Sequence, residues 1–369
     1  MRKVFILITA LIVSGCLEPQ PKPDIKERPV SEFNIDVQAK GLESPWSVAE
    51  IGDHYLITEK AGKLLRISGD SETEITGLPD DIFVSGQGGL LDIVAAPDFS
   101  QSNELYMSYA YGNSDANGTA LLRAKLTGNT LENSTIIFRA SPPKAAASHF
   151  GGRIVFLPDD TLVLTLGDGF AYREDAQNVN SHLGKIVRLN RDGGTPSDNP
   201  KLEGKPQIYS MGHRNVQGLA YDAQTGQLWE HEHGPRGGDE LNLIKAGANY
   251  GWPIATTGLD YNGAKISPFK TYDGMVDPVH DWVPSIAPSG LAIYRGDMFP
   301  EWNGDALVGG LVSRDIRLVN LESGESKGEV SILSDLDERV RDVRVASDGA
   351  ILVLTDDTEN GKLLRVTPK

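Results

Sequence analysis

Cysteine is nearly absent: Cys16 is the single one in 369 residues. That excludes a disulfide within the chain, and a Cys16 used for lipid, as read below, leaves no thiol for a zinc site or a nucleophile, so stability has to come from a large core. Positive charge is also scarce, with 35 Lys and Arg against 51 Asp and Glu and a formal net charge of −16. So acidic a chain argues against nucleic acid or an anionic lipid surface as main partner, and favours small neutral ligands or cations. After the first residues no apolar stretch approaches membrane-spanning length, and no run of ten or more residues shows a clear 3.6-residue periodicity between caps.

What the amino terminus does carry is Arg2 and Lys3, an apolar run over residues 4–13, and then Ser14-Gly15-Cys16. Residues 1–15 therefore read as a lipoprotein signal peptide, with small residues ahead of a cysteine whose thiol receives the lipid. An ordinary secretory signal with a chance cysteine is the competing reading. Residues 16–29 hold Pro19, Pro21, Pro23 and Pro29 among charges, which predicts a semi-rigid tether. The catalytic domain is expected over residues 30–369. The protein is expected to be exported and held on a membrane only by lipid on Cys16: on the periplasmic side or outer membrane where the cell has one, otherwise at the cell surface.

One pattern recurs along the remaining chain: a short apolar strand, a turn, and a second strand ending near a basic residue. It occupies residues 55–58 with 63–67, 105–108 with 121–126, and 162–165 with 185–189; fainter copies follow at 227–229 with 240–244, 306–308 with 316–319, and 351–355 with 362–366. Six units predict an all-β fold, a six-bladed β-propeller of four-stranded antiparallel blades. The 40 glycines and 21 prolines supply the turns that so many short strands need. Residues 32–37 have no strand partner nearby and are expected to complete the last blade, closing the ring and removing its free edges. Insertions at 167–182, 190–207 and 246–285 carry Trp252, Tyr261 and Trp282 and predict a working rim.

His149 precedes the inner strand of the third unit and Asp168 follows it. The two could meet near the channel, where the carboxylate would fix the imidazole tautomer and raise its basicity. A histidine that caps a turn is the alternative. His231 and His233, two apart on a strand, admit a zinc reading, although no third ligand is evident.

Several motifs occur in order: Gly41 to Ala49, Gly86-Gln87-Gly88-Gly89, Ser148-His149-Phe150-Gly151-Gly152-Arg153, Gly212-His213-Arg214-Asn215, Gly234-Pro235 with Asp239-Glu240, and Asn249-Tyr250-Gly251-Trp252. Together, from about Val37 to the carboxyl end, the chain resembles the soluble aldose sugar dehydrogenases of the glucose/sorbosone dehydrogenase family, which use pyrroloquinoline quinone. The resemblance implies oxidation of the anomeric C1 hydroxyl of an aldose to the lactone, with an external electron acceptor completing the cycle. It makes His149 the general base and Asp168 its partner, and gives Gln87, Arg214, Asn215, Arg339 and Arg341 contacts to the cofactor. Arg339 and Arg341 would share one strand face. Ca²⁺ is implied at the Gly234 and Pro235 carbonyls, with a second, structural Ca²⁺ at Glu240 and Tyr250, and His233 would shape the cofactor pocket. Two positions depart from relatives that oxidise glucose. Their cofactor lysine aligns with Val312, beside Ser313 and Arg314, which leaves Ser313 as the nearest polar contact. Their stacking aromatic aligns with Val283, beside Trp282. The preferred aldose, the acceptor and the oligomeric state are not legible. A calcium-dependent sugar lactonase and a non-catalytic binding propeller remain as alternatives.

Overall fold

Leu162–Leu166 is apolar at four of its five positions, and every residue in it is buried. Leu162, Leu164 and Leu166 pack with Tyr106, Leu121 and Phe138 on one side, whereas Val163 packs with Leu219 and Leu228 on the other. Alternate residues of a strand point to opposite faces, so this one must lie between two sheets. The same division holds in Ile351–Thr355: Ile351 and Val353 meet Tyr294, Phe299 and Trp302, while Leu352 and Leu354 meet Val48 and Ile57. Six such apolar layers, one between each pair of neighbouring sheets, form the core.

The computed structural model describes residues 32–369. The expectations for the signal peptide, Cys16 and the tether lie outside the described residues. The rest is a six-bladed β-propeller of four-stranded antiparallel sheets. Blades 1 to 5 span residues 45–75, 90–139, 154–211, 216–282 and 288–332, and blade 6 comprises 340–368 with Phe33–Leu42. Phe33–Leu42 runs antiparallel to Gly361–Pro368, with Phe33 opposite Pro368 and Val37 opposite Leu364. The expected closing strand thus exists and runs on to Leu42. Among the described residues α-helix is confined to Phe99–Ser102, and no helix is long and apolar enough to cross a membrane.

The six sequence repeats are the second and third strands of each blade. The first strands escaped because they stand round the axis and carry buried polar residues there: Ser47, Asp92, Gln217, Ser289 and Asp342. Fourth strands such as Ser71–Ile75 and Thr130–Arg139 face solvent and lose the apolar signature, whereas Ile208–Met211 of blade 3 is covered.

Two of the three insertions serve the cavity. Residues 247–252 climb the outer edge of blade 3 beside Ile208–Met211, bonded at Met211 N to Ala248 O (3.0 Å), Tyr250 N to Met211 O (2.8 Å) and Trp252 N to Gly212 O (2.9 Å). That climb delivers Trp252 beside Asp168. The insertion over 190–207 does not contribute to the rim: Arg188 ties it to the body through Asp198 (2.9 Å) and Asn199 (3.3 Å).

Candidate functional site

A cavity of about 320 Å³ opens at one end of the propeller axis, lined by Trp46, Lys60, Gln87, Asn215, Gln217, His233, Val312, Arg339 and Arg341 among others. Its walls hold three cations and no carboxylate. His149 stands behind one wall, its main-chain N–H donating to Gln87 Oε1 at 2.7 Å. A side chain at position 167 would place its Cβ 2.3 Å from the His149 carbonyl oxygen, so Gly167 lets the chain after Leu162–Leu166 run against His149. This close approach brings the two sequence-distant residues together.

Asp168 is fully buried. Its Oδ1 lies 2.6 Å from His149 Nδ1 and accepts from Phe170 N–H at 2.7 Å, while Oδ2 accepts from Trp252 Nε1–H at 2.8 Å. A carboxylate among three donors accepts only, which puts the imidazole proton on Nδ1 and leaves the Nε2 lone pair free to take another. Burial pushes His149 below the ordinary imidazole range, against the raising effect of the Asp168 hydrogen bond. Burial thus favours the neutral imidazole, and the ring is held by Asp168 instead of capping a turn. The Phe170 ring lies edge-on to the imidazole, 5.3 Å between centroids.

Arg214 joins this pair to the axis. Its main-chain N–H and that of Asn215 (3.2 Å) both donate to Glu232 Oε2. Its Nη1 donates to the carbonyls of His233 (2.9 Å) and Gly234 (2.8 Å), and its Nη2 to the Tyr261 hydroxyl (3.3 Å). The Gly234 carbonyl, expected at a calcium ion, is thus occupied by the Arg214 guanidinium, which would have to share or release it for a metal to bind there. Pro235 lies nearby, lining an adjoining 310 Å³ pocket with Phe170, Arg214, Trp252 and Tyr261.

Across the cavity, Arg339 Nε donates to Asp356 Oδ2 at 2.8 Å and Arg341 Nε to Oδ1 at 2.9 Å. The shared carboxylate, which the sequence reading missed, aims both guanidiniums at one place. Burial alone would raise the Asp356 carboxyl, but Arg341 and Arg339 hold it below the usual range. Ser313 is not on the cavity wall; its hydroxyl turns back to Gly310, and Val312 takes the wall position. Trp282 cannot stand in for a stacking aromatic either. It is buried between blades 4 and 5 with Nε1–H donating to Glu329 at 2.7 Å, while Val283 is exposed.

The zinc reading fails for a local reason. His231 Nε2 lies 3.2 Å from the Gly290 carbonyl and His233 Nε2 2.7 Å from that of Pro288, which turns both rings toward blade 5, and among the described residues neither histidine joins other His, Cys, Asp or Glu side chains in a ligand cluster. Burial pushes each imidazole down to about 3. His233 does line the cavity, as expected.

Glu240 belongs to a buried acidic cluster. Asn242 Nδ2–H donates to Glu230 (2.8 Å) and Glu240 (3.4 Å), and His213 lies 3.3 Å from Glu232. Glu230 Oε2 and Asn242 Oδ1 are buried without a partner, and burial with mutual repulsion raises Glu230 and Glu240 well above the usual carboxylate range. Two orphaned oxygens beside three carboxylates that meet no Lys or Arg side chain among the described residues fit a cation. The Tyr250 side chain is not part of this donor set: its hydroxyl donates to Leu243 O and accepts from Lys245 N–H, and its ring stacks on His213. Glu230, Glu232 and Asn242 escaped notice because only the strand register, Glu232 opposite Glu240 and Glu230 opposite Asn242, brings them together. The carboxylate-held channel metal of a lactonase has no counterpart on the cavity wall.

Comparison with known proteins gives a consistent picture. A family model described as Glucose / Sorbosone dehydrogenase matches residues 42–365. Aldose sugar dehydrogenase YliI of Escherichia coli K12 is 36% identical over 380 residues, covering 100% of this chain and 99% of its own. The crystal structure of the soluble aldose sugar dehydrogenase from Escherichia coli in the apo-form superposes with a TM-score of 0.87 at 38% identity, over 92% of this chain and 100% of that one. The PQQ-bound form of the aldose sugar dehydrogenase from Streptomyces coelicolor gives 0.74 at 28% identity, over 92% and 100%.

Proposed function

The chain belongs to the glucose/sorbosone dehydrogenase family, and from that premise we propose that it oxidises the anomeric C1 hydroxyl of aldose sugars to the lactone with pyrroloquinoline quinone and Ca²⁺. The observation that carries the reading is a neutral, carboxylate-oriented imidazole set beside a cavity walled by three cations and no carboxylate. When bound, the quinone would supply the hydride acceptor and Ca²⁺ the polarising charge.

The residues present fit such a group. A tricarboxylate calls for guanidinium and ammonium partners, which Arg339, Arg341 and Lys60 provide, and Gln87 and Asn215 add amides. Lys60 comes from blade 1 and supplies a charge that Val312 does not. His149 Nε2 takes the proton of the C1 hydroxyl, and Asp168 stabilises the imidazolium formed. Trp252 and the Phe170 N–H hold Asp168 in place for that purpose. Arg214 would stabilise charge developing at the reacting oxygen; in the structure its guanidinium occupies the carbonyl of Gly234, which with Pro235 would hold the ion. A structural Ca²⁺ is assigned to Glu240 with Glu230, Glu232 and Asn242; of Tyr250, only the main-chain carbonyl is left to contribute.

Reconstitution tests the whole reading. Apoprotein given quinone and Ca²⁺ should reduce a dye in the presence of an aldose, and chelation should abolish the reduction until Ca²⁺ is restored. Sugar-dependent reduction without quinone, or none with it, would reject the reading. Export and anchoring through Cys16 belong to the same proposal: Cys16→Ser should release an active protein from membranes, and unaltered retention would remove the lipid anchor.

A further inference from the structure

Arg153 ends the motif that contains His149, and nothing above uses its side chain. It is 2% exposed and sits on the axis beneath the cavity. Its guanidinium touches every blade but its own. Cζ lies 4.1 Å over the Trp46 ring of blade 1, and Nη1 is 3.6 Å from Asp92 of blade 2. Nε donates to Gln217 O of blade 4 at 2.8 Å, and Nη2 to Ser289 O of blade 5 at 3.4 Å. In blade 6, Nη2 donates to Arg341 O at 3.2 Å and Nη1 lies 2.9 Å from Asp342. Its own main chain is bonded into blade 3, N–H to Thr165 Oγ1 and carbonyl from Thr165 N–H, both at 3.0 Å.

Burying a guanidinium is costly unless it is paired and all its donors are placed. The charges balance: Arg344 bridges the same two carboxylates, at 2.7 Å to Asp92 and 2.9 Å to Asp342, so two arginines face two aspartates, although Arg153 Nη1 meets Asp342 Oδ1 as an ion pair and not as a hydrogen bond. A ring of apolar layers alone leaves each blade free to slide slightly against its neighbours. A planar fork with fixed donor directions removes that freedom at the axis. Three of its partners, Trp46, Gln217 and Arg341, line the cavity.

We infer that Arg153 is the positioning residue of this cavity, a single guanidinium that locks the innermost strands of all six blades and thereby sets Trp46, Gln217 and Arg341 relative to His149. Its consequence for cofactor binding rests on the quinone reading; its role in locking the blades does not. Arg153→Lys keeps the charge between Asp92 and Asp342 but lacks the planar fork that serves Gln217 O, Ser289 O and Arg341 O together. In this variant quinone affinity should fall about tenfold or more, while the acid limb of the pH profile, set by His149, stays in place. Arg188→Lys, which weakens the ion pairs of a buried arginine with the exposed Asp159 and Asp198 off the axis, should leave quinone affinity unchanged and controls for lost stability. Hydrogen exchange on quinone-free protein gives the second readout: Arg153→Lys should loosen residues 216–222, 288–293 and 340–345 as well as blade 3. Should the lysine variant fail to fold, Arg153→Met with Asp342→Asn leaves Arg344 paired with Asp92 and serves the same two measurements. Parental quinone affinity in the folded axis variant, or loosening confined to blade 3, would overturn the inference. If the parent itself binds no quinone, the cofactor reading fails and hydrogen exchange alone decides the role of Arg153.

Discussion

The two sides of the cavity are built on different principles. On the side of blades 3 and 4, Asp168 collects donors from three separate segments, and each bond restricts one torsion of the His149 ring or its support. On the side of blades 5, 6 and 1, charge is presented rather than locked: Arg339 and Arg341 share one aspartate, Lys60 reaches in from a turn, and Val312 offers only an apolar wall. A proton acceptor must be held to within a fraction of an ångström, whereas a polyanion is retained by field and by adaptable donors. On the proposed function the first side should govern rate and the second affinity.

Arg214, which belongs to both sides, should give the largest loss among the variants that sharpen this contrast. Arg214→Ala is expected to cost about 10²–10³-fold in turnover, the scale of a lost charge-stabilising donor, and to weaken quinone binding as well. A change in one parameter alone would show that it serves one side. Arg341→Met comes next and tests the affinity side by itself. Losing a charge-assisted hydrogen bond of about 1.5–3 kcal/mol should weaken quinone affinity about ten- to hundredfold, with turnover at saturating quinone little changed. A fall in saturated turnover as large as that in affinity would break the division.

Asp168→Asn should be milder than loss of the base, about tenfold in turnover, because the imidazole stays but is poorly oriented. Its signature is in pH. Activity needs neutral His149, so it rises as pH climbs through the His149 pKa, which burial already places below the ordinary value near 6.5. Removing the carboxylate removes the opposing, raising influence, so the acid limb of the kcat/KM profile should move to lower pH. A shift to higher pH would contradict the assigned charges.

The blade count and the closing strand were legible because apolar second and third strands recur and residues 32–37 had no local partner. The His149–Asp168 pair was legible because both residues flank one short stretch of chain, which the structure shows to be the hairpin of Ile154–Phe156 with Leu162–Leu166. What stayed hidden depends on register and on crossings between blades. Asp356 meets the two arginines only when blade 6 is paired, and Trp252 meets Asp168 only because residues 247–252 climb blade 3. Ser313 and Trp282 failed as substitutes for a different reason: alignment places a residue along the chain, whereas the local turn decides which way its side chain faces.

The central claim is that His149 removes the proton from the sugar, and single-turnover kinetics tests it most directly. Parent and His149→Ala proteins are loaded with quinone and Ca²⁺, mixed with an aldose, and followed by the absorbance change of quinone reduction. The account predicts equal quinone affinity in the two proteins and reduction slowed about 10²- to 10⁴-fold in the variant. Reduction at close to the parental rate in His149→Ala would contradict it.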